Sequence, residues 1–109
     1  MHELALMSEV VAVVSDRCAD VRVSRVRLQV GRLSGALPDA LRFCFDVCTQ
    51  GTALEGATLE IEEIPGSARC RGCGLSMEWN DPLALCSCGS AALDVTGGQE
   101  LRIRNVEVI

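Results

Sequence analysis

Seven cysteines and one histidine are the residues of this chain best suited to hold a metal, and their spacing separates them into different chemistries. Four cysteines lie in "CRGCGLSMEWNDPLALCSCGS": Cys70 and Cys73 with two residues between them, twelve residues, then Cys86 and Cys88 with one between. Two turns that each present a thiolate pair supply the four soft ligands that structural Zn(II) takes tetrahedrally. Gly72, Gly74 and Gly89 allow the backbone to curl around such an ion. Four thiolates with neither His nor a His-x-Glu pattern beside them describe a closed structural site, because a catalytic zinc keeps an open position and a general base. The second pair is one residue shorter than the common spacing, so Cys86 is the ligand whose approach is in question. Two disulfides would require an oxidising compartment, and a reactive dithiol usually sits at a helix start that this stretch lacks.

The histidine stands at the other end of the chain, in "MHEL". A single imidazole near a terminus is most often just solvated. Here, however, the Met1 amine, the intervening amide nitrogen and the His2 imidazole form a planar tridentate set, with the Glu3 amide or carboxylate available to complete it. Nitrogen-rich, square-planar surroundings suit Ni(II) or Cu(II) better than zinc, and reduced cytosolic copper prefers sulfur, so nickel is the better match. A site built from a terminus is open and labile, which suits a carrier rather than an enzyme. Cys18, Cys44 and Cys48 are expected to be small buried hydrophobes.

Regular elements must position both groups. Leu4, Met7, Val10, Val11 and Val14 recur at three- and four-residue spacing and predict a helix over 4–19. "RVRLQVG" alternates Val26, Leu28 and Val30 against Arg25, Arg27 and Gln29, a half-buried strand ended by Gly31. Pro38 near a helix start, Leu41, Cys44, Phe45 and Cys48 on one face, and Gly51 beyond the end predict a second helix over 38–50. "ATLEIEEI" and "ELRIRNVEVI" alternate again. The strand–helix–strand succession predicts a parallel pair, and the Arg and Glu pairs predict an Arg strand beside the Glu strand on an exposed face. Residues 65–97, with four of the seven cysteines, break this pattern and read as an insertion that needs a metal to fold. The fold class is therefore α+β: two helices packed on a three-stranded mixed sheet (1–64 and 98–109), with a small zinc-ribbon-like domain inserted before the last strand (65–97).

Composition narrows the functional classes. The chain has 109 residues, 49% hydrophobic and 23% charged, enough for one modest core. Its 15 acids and 10 bases give a net charge of −5 and no basic cluster, which argues against nucleic acid. "VVAVV" is too short to span a membrane and no basic signal region precedes it, so a cytoplasmic location without membrane attachment is expected.

Over essentially its whole length the chain resembles the HypA family of hydrogenase nickel-insertion proteins. The resemblance rests on "MHEL", "VRLQVGRLSGALPDALRFCFD", "GTALEGATLEIEEIPGSARCRGCG", "CSCGS" and "GGQELRIRNVEV", in that order. It implies a nickel-binding domain with a zinc domain on the loop before the last strand, Ni(II) held by Met1, His2 and Glu3, and structural Zn(II) held by Cys70, Cys73, Cys86 and Cys88. It also implies a HypB-type GTPase and the [NiFe]-hydrogenase large subunit as partners, with homo-oligomerisation left open and no catalytic turnover. Family members commonly carry C-P-x-C where this chain has "LCSC", so Cys86 corresponds by proximity rather than by register. The competing reading is a zinc-ribbon protein-interaction module with no second metal site.

Overall fold

The computed structural model describes residues 2–109. Its elements are α1 (His2–Arg17), β1 (Val23–Gly31), α2 (Pro38–Cys48), β2 (Thr58–Ile64), β3 (Ser67–Cys70), β4 (Ser76–Glu78), β5 (Leu93–Gly97) and β6 (Leu101–Val108). The alternation in β1 is used as the sequence requires. Val26, Leu28 and Val30 are buried, and Arg25, Arg27 and Gln29 turn to the opposite face. β1 and β2, joined through α2, pair in parallel with Val26 opposite Leu59 and Leu28 opposite Ile61. β6 pairs antiparallel on the other side of β1, giving the order β2-β1-β6. Between Asn105, opposite Arg27, and Ile103, opposite Leu28, the ladder of β6 carries an extra residue, Arg104. This bulge resets the alternation, so that Ile103 and Val106 both pack on the core although they are an odd number of residues apart.

Both helices contribute to the same core. Met7, Val10, Val11 and Val14 of α1 and Leu41 and Phe45 of α2 cluster with Val26, Leu28 and Leu59 of the sheet. Each such side chain contributes roughly 1.5–3 kcal/mol by leaving water. Cys18, Cys44 and Cys48 are half-buried and pack against this cluster, close to their expected role. Leu4 departs from its helical stripe and is 46% exposed. Helix α1 also begins two residues earlier than the apolar spacing predicts, so His2 and Glu3 belong to its first turn.

The face of the sheet away from the helices carries the charged pairs. Arg27 Nε donates to Glu60 Oε2 at 2.6 Å, and Arg104 Nη1 reaches past β1 to Glu62 Oε2 at 2.6 Å. Glu107 lies 3.2 Å from Arg27 and 3.8 Å from Arg25. The bond from Arg27 holds the Glu60 carboxyl below its usual range and raises the guanidinium in return. These pairs remain partly exposed and screened by water, so they fix strand neighbours more than they stabilise the fold.

Residues 65–97 form their own sheet, antiparallel throughout, in the order β4-β3-β5. Its base is gripped by the chain that leaves β1. Arg32 N–H donates to the Ile64 carbonyl at 2.9 Å and Leu33 N–H to the Gly98 carbonyl at 2.7 Å. Gly31 packs so closely on Gly98 that any side chain at Gly31 would overlap that carbonyl. The strands entering and leaving the insertion are therefore clamped together.

Candidate metal centre

The insertion has almost no apolar interior: Ala68, Cys70 and Cys86 are its buried apolar side chains among the described residues. β3 delivers Cys70 at its end, and a tight turn follows. Cys70 N–H donates to the Leu75 carbonyl, Gly74 N–H returns to the Cys70 carbonyl at 2.9 Å, and Gly74 takes φ +78°. The second pair repeats this plan one residue shorter. Cys86 N–H donates to Ser90, Gly89 N–H returns to Cys86 at 2.8 Å, and Gly89 takes φ +90°. In both turns the second cysteine immediately precedes the left-handed glycine, so Cys73 corresponds to Cys88 and Cys70 to Cys86. The missing residue is absorbed in turn closure, and Cys86 comes to the cluster.

Trp79 and its neighbours hold the intervening loop. The Trp79 indole N–H donates to the Ala84 carbonyl at 3.0 Å, Asp81 accepts from Leu83 N–H at 2.9 Å, and Asn80 accepts from Gly66 N–H at 2.7 Å. These contacts bring the two turns face to face. Cys70 Sγ lies 3.6 Å from Cys88 Sγ, Cys73 Sγ lies 3.5 Å from Cys86 Sγ, and all four sulfurs lie within 4.8 Å of one another. Four sulfurs around one zinc at about 2.3 Å would be separated by about 3.8 Å, so this donor set fits that ion. Cys70 and Cys86 are buried and Cys73 and Cys88 exposed, which puts the cluster at the surface with one pair beneath it.

The thiols are prepared unequally for ionisation. The backbone N–H groups of Cys73 and Gly72 bring Cys70 down to about 6. Ser90 N–H pulls on Cys88, but the surrounding thiols Cys86, Cys70 and Cys73 outweigh it and hold Cys88 at about 11. Cys73 is likewise raised: Leu75 N–H favours its thiolate, and crowding by Cys86 and Cys70 opposes it more strongly. A divalent cation would resolve this conflict by accepting all the sulfurs as thiolates, with release of their protons.

At the other end of the molecule, Met1 lies outside the described residues. His2 is half exposed, with Nδ1 3.9 Å from Glu3 Oε1. Glu3 is 14% exposed and its Oε2 accepts from the Leu37 N–H at 3.3 Å. Its own N–H and that of Leu37 lower its pKa. Leu37 is the residue before the first turn of α2, and its own N–H, which has no acceptor within the helix, is taken up by Glu3 from across the fold. The start of α1 is thereby docked. First-turn amides of a helix also have no intrahelical acceptor, so nitrogens at this position can bind elsewhere without breaking the helix ladder.

The model of a family of hydrogenase and urease nickel-incorporation metallochaperones, hypA, matches residues 1–108. The chain belongs to the HypA family. Hydrogenase maturation factor HypA from Nostoc punctiforme is 51% identical over 108 residues, covering 99% of this chain and 96% of its own. The factor of that name from Geobacter metallireducens is 40% identical over 109 residues, with 99% of each chain covered. The fold agrees with the solution structure of the Ni metallochaperone HypA from Helicobacter pylori, at TM-score 0.68 and 18% identity over 98% of this chain and 97% of that one. This chain is thus a member of a metallochaperone family, with two helices, a mixed three-stranded sheet and a four-cysteine cluster able to hold a metal.

Two contributors were missed in the sequence. One is Leu37, whose amide receives Glu3, and backbone donors carry no side-chain signature. The other is the "WNDP" loop, where Asn and Asp ahead of Pro are turn-forming residues and offered a signal that could have been read.

Proposed function

We propose that this chain is a nickel carrier without catalytic turnover. Ni(II) is held by the Met1 amine, the His2 imidazole and nitrogen from the first backbone amides, with Glu3 completing the set. The nickel passes by ligand exchange to partner proteins, a HypB-type GTPase and the [NiFe]-hydrogenase large subunit, in the cytoplasm. The observation that carries this reading is the docked helix start: an exposed His2 imidazole beside Glu3, which is held by Leu37, in a chain of the HypA family. Commitment of the Glu3 carboxylate to Leu37 favours its amide nitrogen as the ligand. On this reading 1–64 with 98–109 form the nickel-binding unit and 65–97 the zinc-binding unit.

Cys70, Cys73, Cys86 and Cys88 would hold Zn(II), which when bound supplies the cross-link that the insertion's small interior lacks. Each knuckle contributes one buried and one exposed thiolate. Extending the chain by a few residues before Met1 removes the free amine but leaves the cysteines untouched. Nickel binding should then fall to background with zinc unchanged at one ion per chain. Unaltered nickel binding would favour a zinc-ribbon interaction module in which His2 is incidental.

A further inference from the structure

Helix α2 has two apolar faces, and the fold uses only one. Leu41 and Phe45 enter the core. Ala40, Phe43, Cys44 and Val47, spaced three and four apart, form a second stripe that lines a groove of about 310 Å³ with Leu4 and Glu3 of α1. The groove is apolar apart from Glu3, and its side chains are unusually open, with Phe43 70% and Leu4 46% exposed. This explains why Leu4 follows the helical pattern yet leaves the core.

Charge decides what the groove accepts. At 100° per residue, Asp39 and Asp46 flank Phe43 along the side of the stripe away from α1, and both are exposed. Glu3 closes the end. Arg42, the one cation of α2, is turned away to donate to the Leu59 carbonyl at 2.9 Å. On the sheet's outer face Glu60, Glu62 and Glu107 are each paired with an arginine, whereas Asp39 and Asp46 have no ion-pair partner among the described residues. A second copy of the chain would bring the same acidic rim against itself, so this surface disfavours self-association.

We propose that the α1/α2 groove docks an amphipathic helix whose apolar ridge is flanked by Lys or Arg, presented by the protein that exchanges nickel with this chain. Geometry and charge alone define the groove and the kind of helix it fits. The identity of the occupant as a nickel partner rests on the function proposed above, because Glu3, a wall of the groove, is next to His2 and a seated helix would lie beside the imidazole. Apolar side chains at i, i+3, i+4 and i+7 would contact Phe43 and Val47 while flanking cations meet Asp39 and Asp46.

The probe is a helical peptide with a Leu ridge and Lys flanks, titrated into zinc-loaded full-length protein beside a twin carrying Glu at every Lys position. The Lys peptide should shift amide signals at Leu4 and 40–47. Phe43→Ser and, at low salt, Asp46→Lys should each weaken it by about tenfold or more, and the Glu twin should not bind. Both variants should keep wild-type nickel affinity and helical content. Equal binding of the two peptides, undiminished binding to Phe43→Ser, or wild-type self-association abolished by Phe43→Ser would each overturn the proposal. His2→Ala separates the two readings. If it leaves nickel affinity unchanged, the nickel role fails, and unchanged peptide binding to the same variant shows that the groove stands without it.

Discussion

The α/β unit and the cysteine insertion reach a fixed structure by opposite means. The first buries a continuous set of side chains, from Met7 and Val14 through Leu28 to Phe45, and two helices and three strands supply them. The second buries Ala68 and two sulfurs, and leaves Leu75, Leu83 and Leu85 in solvent. A core that small cannot offset the conformational entropy of some thirty ordered residues at about 1.5 kcal/mol each. The contrast is one of means: the larger unit is organised by hydrophobic burial, whereas the smaller brings together four sulfurs able to hold a metal.

The largest effect should therefore come from removing one sulfur. Cys86→Ser should abolish stable zinc binding and unfold β3 to β5, since binding free energies at such sites are about 10–16 kcal/mol and become folding free energy. Amide dispersion lost in 65–97 but kept in 1–64 would show the units to be separable, while retained zinc at one per chain would exclude Cys86 from the site. Phe45→Ala is the reciprocal change. It should cost about 3–5 kcal/mol in the α/β unit, seen as a lower chemical-denaturation midpoint, while zinc content holds.

Acid should act on the same contrast from another side. In the metal-free cluster Cys73 and Cys88 are raised, Cys88 to about 11, so both are protonated at neutral pH and must release protons on binding. Zinc affinity should thus fall by at least about a hundredfold for each unit of acidification from pH 8, and more steeply once the pH drops through about 6, where Cys70 is protonated too. A competition titration with a chelator across that window checks the slope. The smallest effect belongs to the outer sheet face. Arg27→Ala should leave the chemical-denaturation midpoint close to that of the wild type, because its partners are partly exposed and salt-screened.

How much was legible in the sequence follows the same division. Where burial organises the chain, alternation and helical spacing sufficed: Val26, Leu28 and Val30 against Arg25 and Arg27 showed the strand, and its parallel partner followed from the intervening helix. What escaped there depended on a change of phase or on backbone. The Arg104 bulge breaks the period that would have placed Val106, and Leu37 receives Glu3 through an amide. In the insertion, β4 and β5 had no pattern to read, since they have no buried face, and β3 buries only Ala68 and Cys70. The cysteines were plain by type and spacing. Their equivalence across turns of unequal length became visible only through the hydrogen bonds that close on Gly74 and Gly89.

The central claim is that two metals occupy two separate places, nickel at the amino terminus and zinc at the four cysteines. It is tested most directly by measuring nickel and zinc together, per chain, in wild-type protein and in His2→Ala after equilibration with both ions. The account predicts one zinc in each and nickel in the wild type alone. Nickel retained by His2→Ala at wild-type affinity would contradict it.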